Sequence, residues 1–232
     1  MLTFDVSYFI GLFPRLADAI PFTAYVIVCS ILLCLVIGTG IAAVRLTKVP
    51  VLFQLCEVWL SYNRSMPFIL DLYLVYFCLP GIVHAIGGDP GGWPLTVYVL
   101  TALAFHYSPV ISEIIRPAYL SVDAGQREAA IAFGLSPVHR VFRIIAPQAI
   151  PIALPGLVSE SINILKDTSL MYFIGVIDLM GKAGFIINAS YGQGKLETYC
   201  AVAVIYWVIV IAVELAFHAF QLHNRKSVKE GA

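Results

Sequence analysis

Residues Glu128 to Pro137 read EAAIAFGLSP, and they lie between two segments apolar enough to live in a bilayer. Glu128 to Phe133 can form a short helix, and Gly134 suits the left-handed position that ends one. Ser136 is a good N-cap with Pro137 at the first helical position, so a second helix is predicted to run towards Ile145. Val138, Val141, Phe142 and Ile145 fall at helical spacing on it, while His139, Arg140 and Arg143 point elsewhere. Such a helix–turn–helix is either an amphipathic connector lying on the membrane surface or a surface offered to a soluble partner. Periodicity by itself favours the connector.

The rest of the chain sets the class. Of its 232 residues 60% are apolar and 12% charged, with mean hydropathy +0.88. A soluble domain carries about 25% charged residues, so much of this surface faces something other than water. Lys+Arg and Asp+Glu number 14 each, which leaves no net field to hold nucleic acid. Cys29, Cys34, Cys56, Cys78 and Cys200 sit in apolar segments without redox or zinc spacing, and read as small buried hydrophobes. The opening MLTFDVSYFIGLFPRLAD has acidic residues, no basic n-region and no small-residue cleavage pattern. No cleavable signal is expected, and the first apolar run is kept as a span.

A spanning helix needs about 20 apolar residues, and runs of that kind occupy 21–44, 67–86, 94–115, 144–165 and 199–220. The fourth is softened by Pro147, Pro151 and Pro155. Val51 to Ser61, shorter and carrying Gln54 and Glu57, reads as an interfacial or leading helix. GGDPGGW (Gly87 to Trp93) is a loop, and Lys166 to Gly194 is a mixture of apolar pieces broken by glycines. The expectation is an all-α integral membrane protein with five transmembrane helices. An extracytoplasmic segment (1–20) precedes the transmembrane domain (21–222), and a cytoplasmic basic tail (223–232) follows. Arg45, Lys48, Arg64, Arg116, Arg127, Arg140, Arg143, Arg225, Lys226 and Lys229 fall on one side, against Arg15, Lys166, Lys182 and Lys195 on the other. That bias puts the first group in the cytoplasm. The N-terminus is then outside, and the C-terminus and the connection over about 118–147 are inside.

The run E128-A129-A130-x3-G134-x9-I144-x-A146-P147 closely resembles the EAA loop of binding-protein-dependent ABC importer permeases, E-A-A-x3-G-x9-I-x-L-P, and departs from it only at Ala146. YNRSMPFILDLYLVYFCLPG (Tyr62 to Gly81) is similar to the polar amino acid subfamily's stretch around R-G-T-P-L-L-V-Q, keeping Arg64 and Pro67 but differing at Ser65, Met66 and Asp71. SEIIRPAYLSVDAGQREAA (Ser112 to Ala130) resembles the approach to that loop. LKDTSLMYFIGVIDL (Leu165 to Leu179) resembles L-K-D-T-S-L-x-x-x-I-G-V-x-x-L. The resemblance covers Pro21 to about Phe220 in order and implies the type I ABC importer permease fold. It makes the loop a coupling helix docked on a cytoplasmic ATPase, with Glu128, Ala129, Ala130, Gly134, Leu135, Ser136, Pro137 and Arg140 as its coupling residues. It implies as partners an ABC ATPase dimer, a second permease subunit (this chain again or a paralogue) and an extracytoplasmic amino-acid-binding protein. No catalysis and no cofactor are expected in this chain, since ATP and magnesium belong to the ATPase, and the implied location is the bacterial plasma membrane. Glutamine, arginine or histidine, cystine and opines all stay open as cargo.

Ionisable groups inside spans face a bundle interior, a cavity or a partner. Ser159, Glu160, Asn163, Lys166 and Asp167 fall within about a third of a helix circumference, with Gly156 on the same arc. They line a translocation path, or they form an internal seam in which Glu160, Lys166 and Asp167 satisfy one another or the second subunit. His106 and Glu113 share a face, Glu113 and Arg116 are expected to pair, and Glu214 and His218 likewise. Asp71, one turn into the second span, reads as a capping group near the cytoplasmic surface rather than a substrate contact. G175-V-I-D-L-M-G181-K182-A183 has five residues between its glycines and no hydroxyl after the lysine, so it is no phosphate loop. A secondary transporter driven by an ion gradient would often show internal repeats, and none is evident. A mere membrane scaffold leaves the polar stripe unexplained.

Overall fold

Uninterrupted apolar runs give long helices here, and prolines, glycines and small polar caps decide where each begins and ends. The computed structural model describes residues 4–230, with side chains to residue 221; the charged side chains of the tail over 223–232 lie outside the described residues. The elements in order are α1 (Val6–Ala17), α2 (Ile20–Thr47), α3 (Pro50–Ser65), α4 (Phe68–Ala85), α5 (Leu95–Leu120), α6 (Ala124–Ala132) and α7 (Pro137–Arg140). A π turn (Val141–Ile145), α8 (Ala146–Asp167), a 3-10 turn (Thr168–Ile174), α9 (Leu179–Ala189) and α10 (Lys195–Glu230) complete it. Five stretches are long and apolar enough to cross a membrane: Ile20–Thr47, Phe68–Ala85, Leu95–Leu120, Pro137–Ile174 and Lys195–Gln221. They correspond to the five expected from the sequence.

The chain gathers into two units, one made of the residues through Ile27 with those from Leu165 onward, the other of Val28–Ile164. In the first, Leu12 and Leu16 of α1, Leu179, Ala183 and Ile186 of α9, and Ala201, Val202 and Ile205 of α10 form a buried core. At 12 residues α1 is about 18 Å long, too short to span. Asp5 caps it by accepting from the Tyr8 N–H at 3.0 Å, and the Asp5 N–H donates to Glu197 of α10 at 2.9 Å. The sequence treats this segment only as an extracytoplasmic lead-in, so the helix is an addition made by the structure.

In the second unit α3 and α4 climb along α5 one after the other. Trp59 and Tyr62 pack on Phe105, and further along Tyr76 packs on Tyr98. Pro67 breaks the climb, because its ring excludes helical geometry from Met66, which is extended. The interfacial or leading helix expected over Val51 to Ser61 is observed as α3, and it runs to Ser65. In this bundle Arg45, almost fully buried, donates from Nε to Glu57 at 2.8 Å and from Nη1 to the Ser112 hydroxyl at 3.0 Å. Glu113 pairs with Arg64 and lies 3.9 Å from Arg45. The expected Glu113–Arg116 pair is therefore replaced: cations from α2 and α3 reach Glu113 across the bundle. Glu214 and His218 are both exposed on α10, and no ion pair joins them among the described residues.

The rod from Pro137 to Asp167 is continuous but not uniform. Pro147 has no N–H to give, and its ring would press on a carbonyl four residues back. The helix answers by widening one turn, in which the Ala146 N–H reaches the Val141 carbonyl. The fourth candidate membrane helix thus runs on unbroken from α7.

Candidate functional site: the turn at Gly134 and the polar row of α8

The turn at EAAIAFGLSP is built in two halves. Helix α6 starts at Asp123, whose side chain accepts from the Gly125 N–H at 2.8 Å. It ends in a paired closure: the Leu135 N–H returns to the Ala130 carbonyl at 3.0 Å and the Gly134 N–H to that of Ile131 at 2.9 Å. That closure needs a left-handed residue, and Gly134 supplies it with φ +72°. Ser136 then opens α7, its hydroxyl accepting from the His139 N–H at 3.4 Å, with Pro137 at the first position. Both caps are where the sequence puts them.

What the turn exposes follows from what it buries. Ala130 and Ile145 are buried, where α6 packs against α7 and the π turn. Phe133 is 86% exposed, Val138 64% and Phe142 72%, a set of apolar side chains flanking the glycine. Leu135 and Arg140 are half-buried; Ala129, Ser136 and Pro137 are exposed. Glu128 is exposed too, and among the described residues it caps nothing and pairs with nothing.

On α8, Ser159, Asn163 and Lys166 are exposed while Glu160 and Asp167 are half-buried. Asn163 Nδ2 donates to Glu160 Oε2 at 3.3 Å, and the Ser159 hydroxyl donates to the Pro155 carbonyl at 3.1 Å. Gly156 is the point of close approach: a β-carbon there would stand 2.9 Å from Ile114 of α5. Bulk at 156 would push the two helices apart.

Two polar constellations go beyond the sequence reading. Asp71 has no exposure; it accepts from the Tyr62 hydroxyl at 2.8 Å, and His106 Nδ1 lies 2.6 Å from its other oxygen. It is not a surface cap. The carboxylate ties α3, α4 and α5 together inside the bundle, and the signal for it was available: two ionisable residues in consecutive spans. Asp178, also fully buried, caps α9 by accepting from the Gly181 N–H at 2.8 Å, with the Tyr206 hydroxyl 3.4 Å from its second oxygen. The stretch Gly175 to Ala183 is thus a 3-10 exit and a helix start. Among the described residues no group of three or more His, Cys, Asp or Glu could hold a metal ion.

The chain is similar to known proteins over most of its length. The family model described as binding-protein-dependent transport system inner membrane component matches residues 35–226. The L-cystine transport system permease protein TcyL of Bacillus subtilis (strain 168) is 32% identical over 224 residues, covering 97% of this chain and 93% of that protein. The probable glutamine ABC transporter permease protein GlnP of the same organism is 34% identical over 209 residues, covering 89% and 92%. A chain of the crystal structure of an amino acid ABC transporter with histidines superposes with a TM-score of 0.79 at 25% identity, over 96% of this chain and all of that one.

Proposed function

The chain belongs to the family of binding-protein-dependent transport system inner membrane components, and from that premise we propose how its parts divide the work of transport. It is a membrane-spanning permease subunit of an ABC importer for amino acids. Glu128 to Pro137, with Arg140, is the element that an ATPase subunit grips, and the row Ser159, Glu160, Asn163, Lys166 and Asp167 lines the route of a polar amino acid. The observation that carries the first part is the exposure of Phe133, Val138 and Phe142 around Gly134. Three large apolar side chains at the end of a membrane span are a docking surface for a soluble partner. The second part is supported by polar side chains exposed along a helix that crosses the membrane, where lipid is a poor neighbour.

In the working assembly two permease subunits, this chain twice or with a paralogue, sit on an ATPase dimer in a bacterial plasma membrane. An external binding protein delivers the cargo. ATP and magnesium act on the ATPase, and this chain contributes no bond-breaking step. The cystine and glutamine transport systems among its relatives support a polar amino acid as cargo. Gly134→Val tests the coupling role, with Gly134→Asn as its control, because asparagine tolerates the left-handed region and a β-branched residue does not. Both variants are expected in the membrane at normal abundance. Valine should abolish hydrolysis stimulated by the binding protein, and asparagine should keep most of it. Full stimulation in the valine variant removes the coupling role.

A further inference from the structure

Prolines at 151 and 155 remove the N–H groups that would pair with the carbonyls of Pro147 and Pro151, four residues back along α8. Among the described residues no side chain takes their place. The side-chain donors nearby serve other carbonyls: Gln148 Nε2 donates to Ile144 at 2.7 Å, and the Ser159 hydroxyl donates to Pro155. A widened turn stands directly before Pro147, and α8 has no such turn further on. A bare backbone carbonyl is not tolerated against hydrocarbon; it needs a protein donor or water. Yet Pro147, Pro151, Pro155, Ser159 and Asn163, every fourth residue of one helical ridge, are all exposed.

We infer that the inner half of α8 faces water rather than lipid, and that the Pro147 and Pro151 carbonyls form an acceptor ladder there for the positively charged end of the transported solute, its ammonium or guanidinium group. The inference rests on α8 forming a wall of the route, and it extends that wall from Ser159 towards the cytoplasmic turn. A carbonyl oxygen accepts and never donates, so the ladder assists a cation and gives a carboxylate nothing. Pro147 and Pro151 then do more than bend the helix: they are acceptor sites with no side chain to betray them.

The test uses the assembled transporter in proteoliposomes, in a cysteine-free background that retains uptake. Single cysteines replace Gln148 and Ile152 beside the ladder, Ser159 on the polar row, and Ala149 on the opposite side. Membrane-impermeant methanethiosulfonates, one cationic and one anionic, are added to the cytoplasmic face. Gln148→Cys, Ile152→Cys and Ser159→Cys should label and Ala149→Cys should not. The cationic-to-anionic rate ratio should be severalfold higher at Ile152→Cys than at Ser159→Cys. Labelling at Ser159→Cys with none at the inner two overturns the inference and leaves the route intact; no labelling at any of the three overturns both. Equal rate ratios overturn the acceptor role. Labelling of the inner two only when the chain is separated from its partner subunit shows that protein donors fill the carbonyls, and overturns it as well.

Discussion

A carboxylate with no solvent contact inside a membrane bundle is tolerable only if its neighbours satisfy it, and among the described residues Asp71 has two, Tyr62 and His106. Each belongs to a different helix, so the side chain acts as a three-way clamp on α3, α4 and α5. Removing it strands both neighbours, and an orphaned buried donor costs about 1–3 kcal/mol. Asp71→Ala should therefore lower the melting temperature in detergent substantially, whereas Asp71→Asn, which still accepts from Tyr62, should cost less. Combining Asp71→Ala with His106→Ala should cost less than the sum of the single changes by about 1 kcal/mol or more. Strict additivity would mean the two residues are not coupled. The sequence shows both groups inside spans, yet a one-dimensional reading assigns Asp71 to the nearest helix start and Glu113 to the nearest arginine. Local spacing ranks neighbours three or four residues away first, and bundles are held by partners that spacing does not rank.

At the scale of elements, α9 and its cap make the pH dependence readable. Burial pushes the Asp178 carboxyl up to about 6 from an ordinary 3.8, against the opposing hydrogen bonds from the Gly181 and Met180 N–H groups and the Tyr206 hydroxyl. Between those values the folded chain holds a proton that the unfolded chain has lost. This group therefore favours the fold most below about pH 4, and that advantage drains away as pH rises to about 6. The gap corresponds to roughly 3 kcal/mol. Asp178→Asn keeps an acceptor for Gly181 and carries no charge. Its melting temperature relative to the unaltered protein should rise between pH 4 and pH 6.5 and then level off; a difference independent of pH would contradict the account. Elements with punctuation in the sequence were legible: Gly134, Ser136 and Pro137 fix both halves of the turn. Helix α9 was not, because its glycines look like a loop until Asp178 is seen capping them from a buried position. Nor was α1, whose amphipathic 12 residues show nothing of the partners in α9 and α10 that bury them.

For the whole molecule, hydropathy was enough to count the spans, since a bilayer demands length and apolarity before anything else. The sidedness proposed from ten basic residues against four predicts that Gly91→Cys, in the loop before α5, is labelled by an impermeant thiol reagent from outside intact cells. Gln126→Cys on α6 should be labelled only in inverted vesicles, and the reverse pattern would invert the topology. Of the wall proposed for the route, the polar side chains of α8 announce themselves in the sequence, while backbone acceptors freed by proline carry no letter of their own. The π turn over Val141–Ile145 has a rotational consequence. It holds one residue more than an α-helical turn would, and each residue advances a helix by about 100°. The widened turn therefore acts as a phase shifter between α7 and α8. It sets the compass bearing of Val138 and Phe142 relative to Ser159 and Asn163, so that losing a single residue there would leave both ends of the rod helical and point them in mismatched directions.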